Sequence, residues 1–342
     1  MVTCAALLGL GGRARAQSDP NPLVRGVESE ELRAMRLFEE ELFGGPPVVD
    51  PPFPESRVLV SDGPPAITTD TPAPSPGPSS GPSRDLSWMS GLTLPDIPVR
   101  WDERVIQYIE FFRDDPRGRR HIASWLRRVD RYGPTIRATL REQGLPRDLI
   151  FVAMVESGFD PTARSDAGAA GMWQFVEGTG EELGLAVNHW EDRRLDPEAS
   201  TAAAGRYLRM LHDRFGTWEL AFAAYNMGYG ALLRAIRKYN TNDYWELSHL
   251  EAGLPYETNL YVSKIVACAI LALNRERFGL GDIENESAVR WDTVEVPGGV
   301  ELGLIARAAG TDAATVRTLN PALRRSRTPP GRGPWRVHIP NG

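Results

Sequence analysis

Cysteine is nearly absent from this chain of 342 residues: there are two, Cys4 and Cys268. That is too few for a disulfide framework or a cysteine-ligated metal site. The five histidines (His121, His189, His212, His249 and His338) show neither HExxH nor any paired ligand spacing. No metal and no cofactor are therefore expected. Excess charge of one sign is also missing. The formal net charge is −6, which gives no global basic field of the kind that attracts nucleic acid. The local run Arg117, Arg119, Arg120 reads as a solvated loop or helix face. No stretch of about 18 consecutive apolar residues occurs, so no transmembrane helix is expected.

The N-terminal third is read mostly from composition. Ala5-Ala6-Leu7-Leu8-Gly9-Leu10 is a short apolar stretch, and Ala14-Arg15-Ala16 follows as a small-x-small cleavage pattern. Residues 1–16 thus read as the remnant of an export signal whose basic leader is missing, which places the protein in the periplasm or cell envelope. Cys4 precedes the apolar stretch instead of following it, unlike a lipid-bearing cysteine. Residues 28–43 space Leu32, Met35, Leu37, Phe38 and Leu42 among charges, the pattern of one short amphipathic helix. Residues 44–100 hold half of the 28 prolines. Thr71-Pro72-Ala73-Pro74-Ser75-Pro76-Gly77-Pro78 predicts a semi-extended, disordered linker that packs no core. Segment 17–100 is accordingly a short helix plus linker.

From residue 101 the pattern turns helical, and the fold class is mainly α. Val105, Ile109 and Phe112 share a face, as do Ile122, Trp125, Leu126 and Val129. Gly133-Pro134 is expected to break that second helix, and another runs to Gln143, completing a helical prefix over 101–144. Gly144-Leu145-Pro146 opens the next helix. Thr179 with Glu182 predicts a capping box. Asp196-Pro197-Glu198 predicts an N-cap, an N1 proline and a first-turn acid, with Gly216 as the stop. Thr217 caps the following helix, and Pro255 opens a long one through Ile265, Ala269 and Leu273. No strand is expected between 101 and 275. The character changes in the last residues: Trp291–Val296 and Trp335, Val337, Ile339 alternate like strands around two short helices at 302–309 and 311–319. Residues 288–342 form a βααβ module.

The most informative residue is Glu156. It lies in the last turn of an apolar helix, Leu149-Ile150-Phe151-Val152-Ala153-Met154-Val155-Glu156. The helix dipole and the apolar surroundings both disfavour its anion, so its pKa should rise above the ordinary ~4.3. A carboxylic acid kept protonated near neutrality suits general-acid work. An ordinary exposed helix-end glutamate is the bland alternative. Other short stretches can surround a ligand. Glycines and alanines at 167–171 permit close backbone approach. Ser165, Gln174, Tyr225 and Asn226 offer neutral hydrogen bonds, and Met172, Trp173, Phe175 and Tyr229 offer apolar and aromatic faces, although Trp173 and Phe175 fit a core equally well. Neutral polar groups among aromatics suit an uncharged sugar polymer better than a phosphate. Glu177, Glu191 and Glu257 read as surface or helix-end groups.

Glu156-Ser157, then Gly168-x-x-Gly171-Met172-Trp173-Gln174, then Ala224-Tyr225-Asn226-x-Gly228, then Glu257-Thr258-x-x-Tyr261-Val262 resemble, in order and spacing, the soluble-lytic-transglycosylase domain of the membrane-bound lytic murein transglycosylase D type. The resemblance covers about residues 101–275 and implies a lysozyme-like all-α catalytic domain, over 145–278. It further implies cleavage of the β-1,4 bond between N-acetylmuramic acid and N-acetylglucosamine in peptidoglycan, with 1,6-anhydro-muramic acid ends. By this likeness Glu156 is the single catalytic acid/base and Tyr261 orients it, while Ser165, Met172, Gln174, Tyr225 and Asn226 contact substrate. A lone acid suffices if the sugar supplies the nucleophile, whereas ordinary glycosidases need two carboxyl groups. Peptidoglycan glycan strands are the expected partner, and the protein is expected to be a monomer. The C-terminal module resembles a LysM repeat through Leu302-x-x-Ile305-Ala306 and Leu319-Asn320-Pro321. It has Gly299-Val300-Glu301 where that repeat has Gly-Asp-Thr. The alternatives are a goose-lysozyme-type hydrolase, with Asp160 or Asp166 positioning water, and a non-catalytic cell-wall binding protein.

Overall fold

The computed structural model describes residues 30–45, 85–250 and 253–342. Residues 1–16, where a signal remnant is expected, and most of the proline-rich segment lie outside the described residues. Helix α1 (Glu30–Phe43) is followed by α2 (Glu103–Asp114), α3 (Pro116–Glu142), α4 (Ile150–Ser157), α5 (Glu177–Glu182), α6 (Pro197–Phe215) and α7 (Trp218–Met227). Next come α8 (Tyr229–Tyr239), α9 (Tyr244–His249), α10 (Tyr256–Leu273), β1 (Trp291–Val296), α11 (Leu302–Ala308), α12 (Ala313–Leu319) and β2 (Trp335–Pro340). No named strand falls between 101 and 275 among the described residues.

Several helices start and stop where their end residues require. Asp102, Asp115 and Asp196 each accept backbone N–H bonds in the first turn of α2, α3 and α6, satisfying donors that have no partner inside the helix. Gly216 ends α6 in the left-handed conformation, and Thr217 caps α7. Two boundaries differ from expectation. Pro134 does not break α3, which runs unbroken over 27 residues. Pro134 is exposed, so the helical bond it omits falls on the solvent side, while buried Tyr132, Ile136 and Leu140 continue the apolar face past it. The expected capping box is also absent: Thr179 lies inside α5, which begins after Val176 without a side-chain cap. Phe175 is held in the preceding loop, and the chain turns helical as soon as it leaves that anchor.

α10 is the centre of the body. It packs against α2, α4 and α7, and α3 packs against α2, α4 and α6. By length and composition α10 could cross a membrane; here its residues from Leu260 to Leu271 are almost all buried among the other helices. The free thiol of Cys268 is buried there too. The amphipathic α1 folds onto the same core through Met35 and Phe38, whose ring stacks on Phe111. Its Glu39 is buried between the Lys264 ammonium at 2.5 Å and the Tyr108 hydroxyl, which donates to it at 2.7 Å.

The C-terminal residues have a second, small core of Leu302, Ile305, Ala306, Val316 and Val337. β1 and β2 pair antiparallel, with Val294 opposite Val337 and Val296 opposite Trp335, so the expected βααβ order holds. Two strips of backbone tie this module to the body. Asp192 N–H donates to the Ala322 carbonyl at 2.8 Å, and Arg324 N–H donates to that of Trp190 at 2.9 Å. Before β1, the N–H groups of Glu286 and Val289 donate to the Arg127 and Arg131 carbonyls of α3.

Candidate active site

The site is built on the C-terminal end of α4. Ile150 to Val155 are all buried, an all-round apolar helix that is stable only inside a core. Gly158 stops it in the left-handed conformation, where a Cβ would run into the Trp125 indole. Phe159 follows at φ 66°, fully buried. A bulky residue in the left-handed region carries strain, here held by packing. Ser157 ties α4 to the next loop by donating to the Met172 carbonyl at 2.9 Å.

Glu156 is thereby presented half-buried at the helix end. Desolvation pushes its carboxyl up to about 7. The Tyr261 hydroxyl and the charge of Lys264 pull the other way without cancelling it, and Glu257 adds to the rise through charge alone. Tyr261, nearly fully buried on α10, donates directly to Glu156 Oε1. Burial and the neighbouring Glu156 charge hold the Tyr261 phenol well above its ordinary value, so it remains a donor at any ordinary pH. An acid half-protonated near pH 7 can give a proton and take one back.

The loop at 158–175 supplies the wall. Gly171 sits at φ 82° with its α-carbon against the Arg194 carbonyl, leaving no room for a side chain. Gln174, at φ 49°, folds its amide back to donate to the Gly171 carbonyl at 2.7 Å and that of Ala163 at 3.3 Å. Its Oε1 is left for other partners. Ser165 Oγ accepts from Ala169 N–H at 3.1 Å, closing the turn around Gly168. The loop is clamped from behind by Arg194, whose guanidinium donates to the Gly168 and Phe175 carbonyls at 2.9 and 3.0 Å. Arg194 also binds both Asp192 oxygens at 2.9 Å. Burial alone would raise the Asp192 carboxyl; the hydrogen bonds and charge of Arg194 outweigh it and leave the carboxyl below its usual range.

α7 forms the remaining side. Tyr225 donates to the Trp173 carbonyl at 2.7 Å, and its ring lies against Phe175 and Tyr207. Burial and the Glu156 charge raise its phenol well above the ordinary value. Asn226 Oδ1 accepts from Thr258 on α10 at 2.6 Å. The structure therefore joins Glu156 to Tyr261 directly. It sets Tyr225 and Asn226 on α7, beside the loop and α10, and places Ser165 and Gln174 in the clamped loop. Met172 departs from expectation: its side chain is fully buried, so it packs in the core, and its carbonyl braces Ser157. Trp173 is core as well, donating to Thr201 at 3.0 Å. Asp160 caps its own turn, accepting from the Thr162 N–H and hydroxyl at 2.8 and 2.7 Å.

The Asp192–Arg194 clamp, Lys264 and Thr258 play parts that sequence reasoning did not assign. Asp192-x-Arg194 just ahead of the Asp196 cap is the one local hint. The targets of Arg194 are carbonyls 26 and 19 residues away, which no spacing reveals.

The acid and the glycine-braced loop, though not Tyr261, fall within residues that match a known family. Residues 134–248 match the transglycosylase SLT domain, and residues 290–342 match the LysM-like domain of lytic transglycosylase MltD. Membrane-bound lytic murein transglycosylase D of Escherichia coli K12 is 33% identical over 218 residues, 62% of this chain and 47% of that protein. Peptidoglycan transglycosylase gp16 of Escherichia phage T7 is 39% identical over 140 residues, 40% of this chain and 10% of that protein. The chain spans about half the length of the first of these relatives. Among solved structures, the 70 kDa soluble lytic transglycosylase of Escherichia coli overlaps 52% of this chain and 33% of its own, at 20% identity and a TM-score of 0.32, too loosely to carry an argument.

Proposed function

We propose that the protein is a peptidoglycan lytic transglycosylase of the cell envelope, acting as an exported monomer. It cuts the β-1,4 bond between N-acetylmuramic acid and N-acetylglucosamine. The observation that carries this reading is the lone half-buried Glu156, with its carboxyl at about 7 and its Oε1 held by the Tyr261 hydroxyl. Protonated Glu156 gives its proton to the glycosidic oxygen as that bond breaks. The resulting carboxylate then takes the proton of the C6 hydroxyl of the same muramic acid, whose oxygen closes onto C1. The acid is restored and the product is a 1,6-anhydro ring. The substrate N-acetyl group assists at the anomeric carbon. Tyr261 steadies the carboxylate between the two transfers. Ser165, Gln174, Tyr225 and Asn226 offer neutral polar contacts that fit an uncharged glycan.

The test is mass spectrometry of the fragments released from purified peptidoglycan. Ends one water lighter than reducing muramic acid are expected. Reducing ends alone would replace this reading by a hydrolase.

A further inference from the structure

A second cleft, of about 560 Å³, opens between α3, the turn at 159–162 and the α12 end of the C-terminal module. It is lined by three arginines and one acid: Arg128 and Arg131 of α3, Arg317 of α12, and Asp160. Its floor and rim are apolar, with Tyr132, Phe159, Pro161, Pro321 and Leu323. Two of the arginines, Arg131 and Arg317, are only partly spent. Arg131 gives Nη1 to Glu286 at 2.8 Å, yet its Nε is buried with no hydrogen-bond partner. Arg317, in the last turn of α12, is exposed and has no ion-pair partner among the described residues. The walls are held in register by the backbone bonds that join 190–192 to 322–324 and α3 to 286–289. The cleft is therefore a built feature of the junction.

Its chemistry is unlike that of the Glu156 site. Three guanidiniums outnumber Asp160 and the Glu286 carboxylate held by Arg131 and do not suit a neutral sugar, and Asp160 disfavours a dense polyanion such as a phosphate chain. Carboxylates beside an amine and aliphatic carbon match the pattern.

We propose that this junction cleft is a second substrate subsite that takes the short peptides carried by the glycan polymer, their carboxylates on Arg128, Arg131 and Arg317 and a free amine on Asp160. The inference rests on the peptidoglycan reading above. It makes the C-terminal module one wall of a peptide-binding site, with the glycan bound by the body.

The test uses the full chain with Glu156→Gln, which binds without turning over. Affinity is measured for labelled soluble glycan strands before and after enzymatic removal of their peptides. Peptide-bearing strands should bind about tenfold more tightly, the value of one well-placed charged hydrogen bond. Adding Arg317→Gln should abolish most of that preference, and Arg317→Lys should restore part of it. Added salt should shrink it as well. Equal binding of both strands, or a preference that survives Arg317→Gln, overturns the inference while leaving the glycan reading intact. Binding of neither strand overturns both.

Discussion

The helical body and the C-terminal module differ most in what their cores can hold. The body's core runs from Met35 to Leu280, and the body built on it holds a raised acid, a buried Arg–Asp pair and three non-glycine residues in the left-handed conformation, Phe159, Gln174 and Asn240. The module's core has five residues, and its buried polar contacts are modest: Asn320 bridges the Val316 and His338 carbonyls at 2.7 Å each. Desolvated charge and strained backbone each cost kilocalories, and only a large apolar core can offset them. The raised acid and its clamped loop therefore lie in the body, and the module contributes surface.

The sharpest way to break this contrast is Glu156→Gln. Cleavage should fall about 10³-fold, measured as loss of peptidoglycan turbidity. In the parent protein, activity should decline as pH rises through about 7, where Glu156 loses its proton. Stability carries the matching sign. Because the folded carboxyl holds its proton up to about 7, folding stability falls as pH climbs from the ordinary glutamate value through that point. The Gln variant should escape this fall, melting higher at pH 8 by the equivalent of about 2 kcal/mol and equally at pH 4. A parent no less stable at pH 8 than the variant would contradict a desolvated acid.

Arg194→Met comes next. It leaves buried Asp192 with only Arg164, at 3.4 Å, and should lower stability by about 3 kcal/mol, read from the urea midpoint, with cleavage reduced as the loop at 158–175 slackens. Tyr261→Phe should slow cleavage about tenfold. It removes a bond that favours the Glu156 anion, so the alkaline limb of the pH profile should move upward. A limb that stays in place would mean Tyr261 does not act on the acid. The smallest effect belongs to the module. Asn320→Ala should cost about 1–2 kcal/mol, and hydrogen exchange should quicken in β1 and β2 while α10 stays protected. Faster exchange in α10 as well would show that the two cores unfold as one.

Much of this was legible in residue order. Asp196-Pro197 and Gly216 bound α6, and Thr217 starts α7, because caps depend on neighbours within one turn. Glu156 and Tyr261 could be singled out from local pattern and family likeness, and they meet as expected. The failures involve longer reach. Pro134 looked like a break, but burial of α3 on both sides of it outweighs the lost bond. Met172 looked like a cleft residue, but a short motif does not say which side chain faces inward. The Thr179–Glu182 pattern lost to the anchor at Phe175.

The sequence by itself determined the mainly α class, the βααβ ending and the position of the acid, all of which follow from periodicity and from groups a few residues apart. Only the tertiary structure decided the acid's strength, the clamping of its loop by Arg194, the pairing of Glu39 with Lys264, and the arginine cleft at the module junction. Those depend on distance and desolvation between segments up to 225 residues apart in the chain, and no local pattern encodes either.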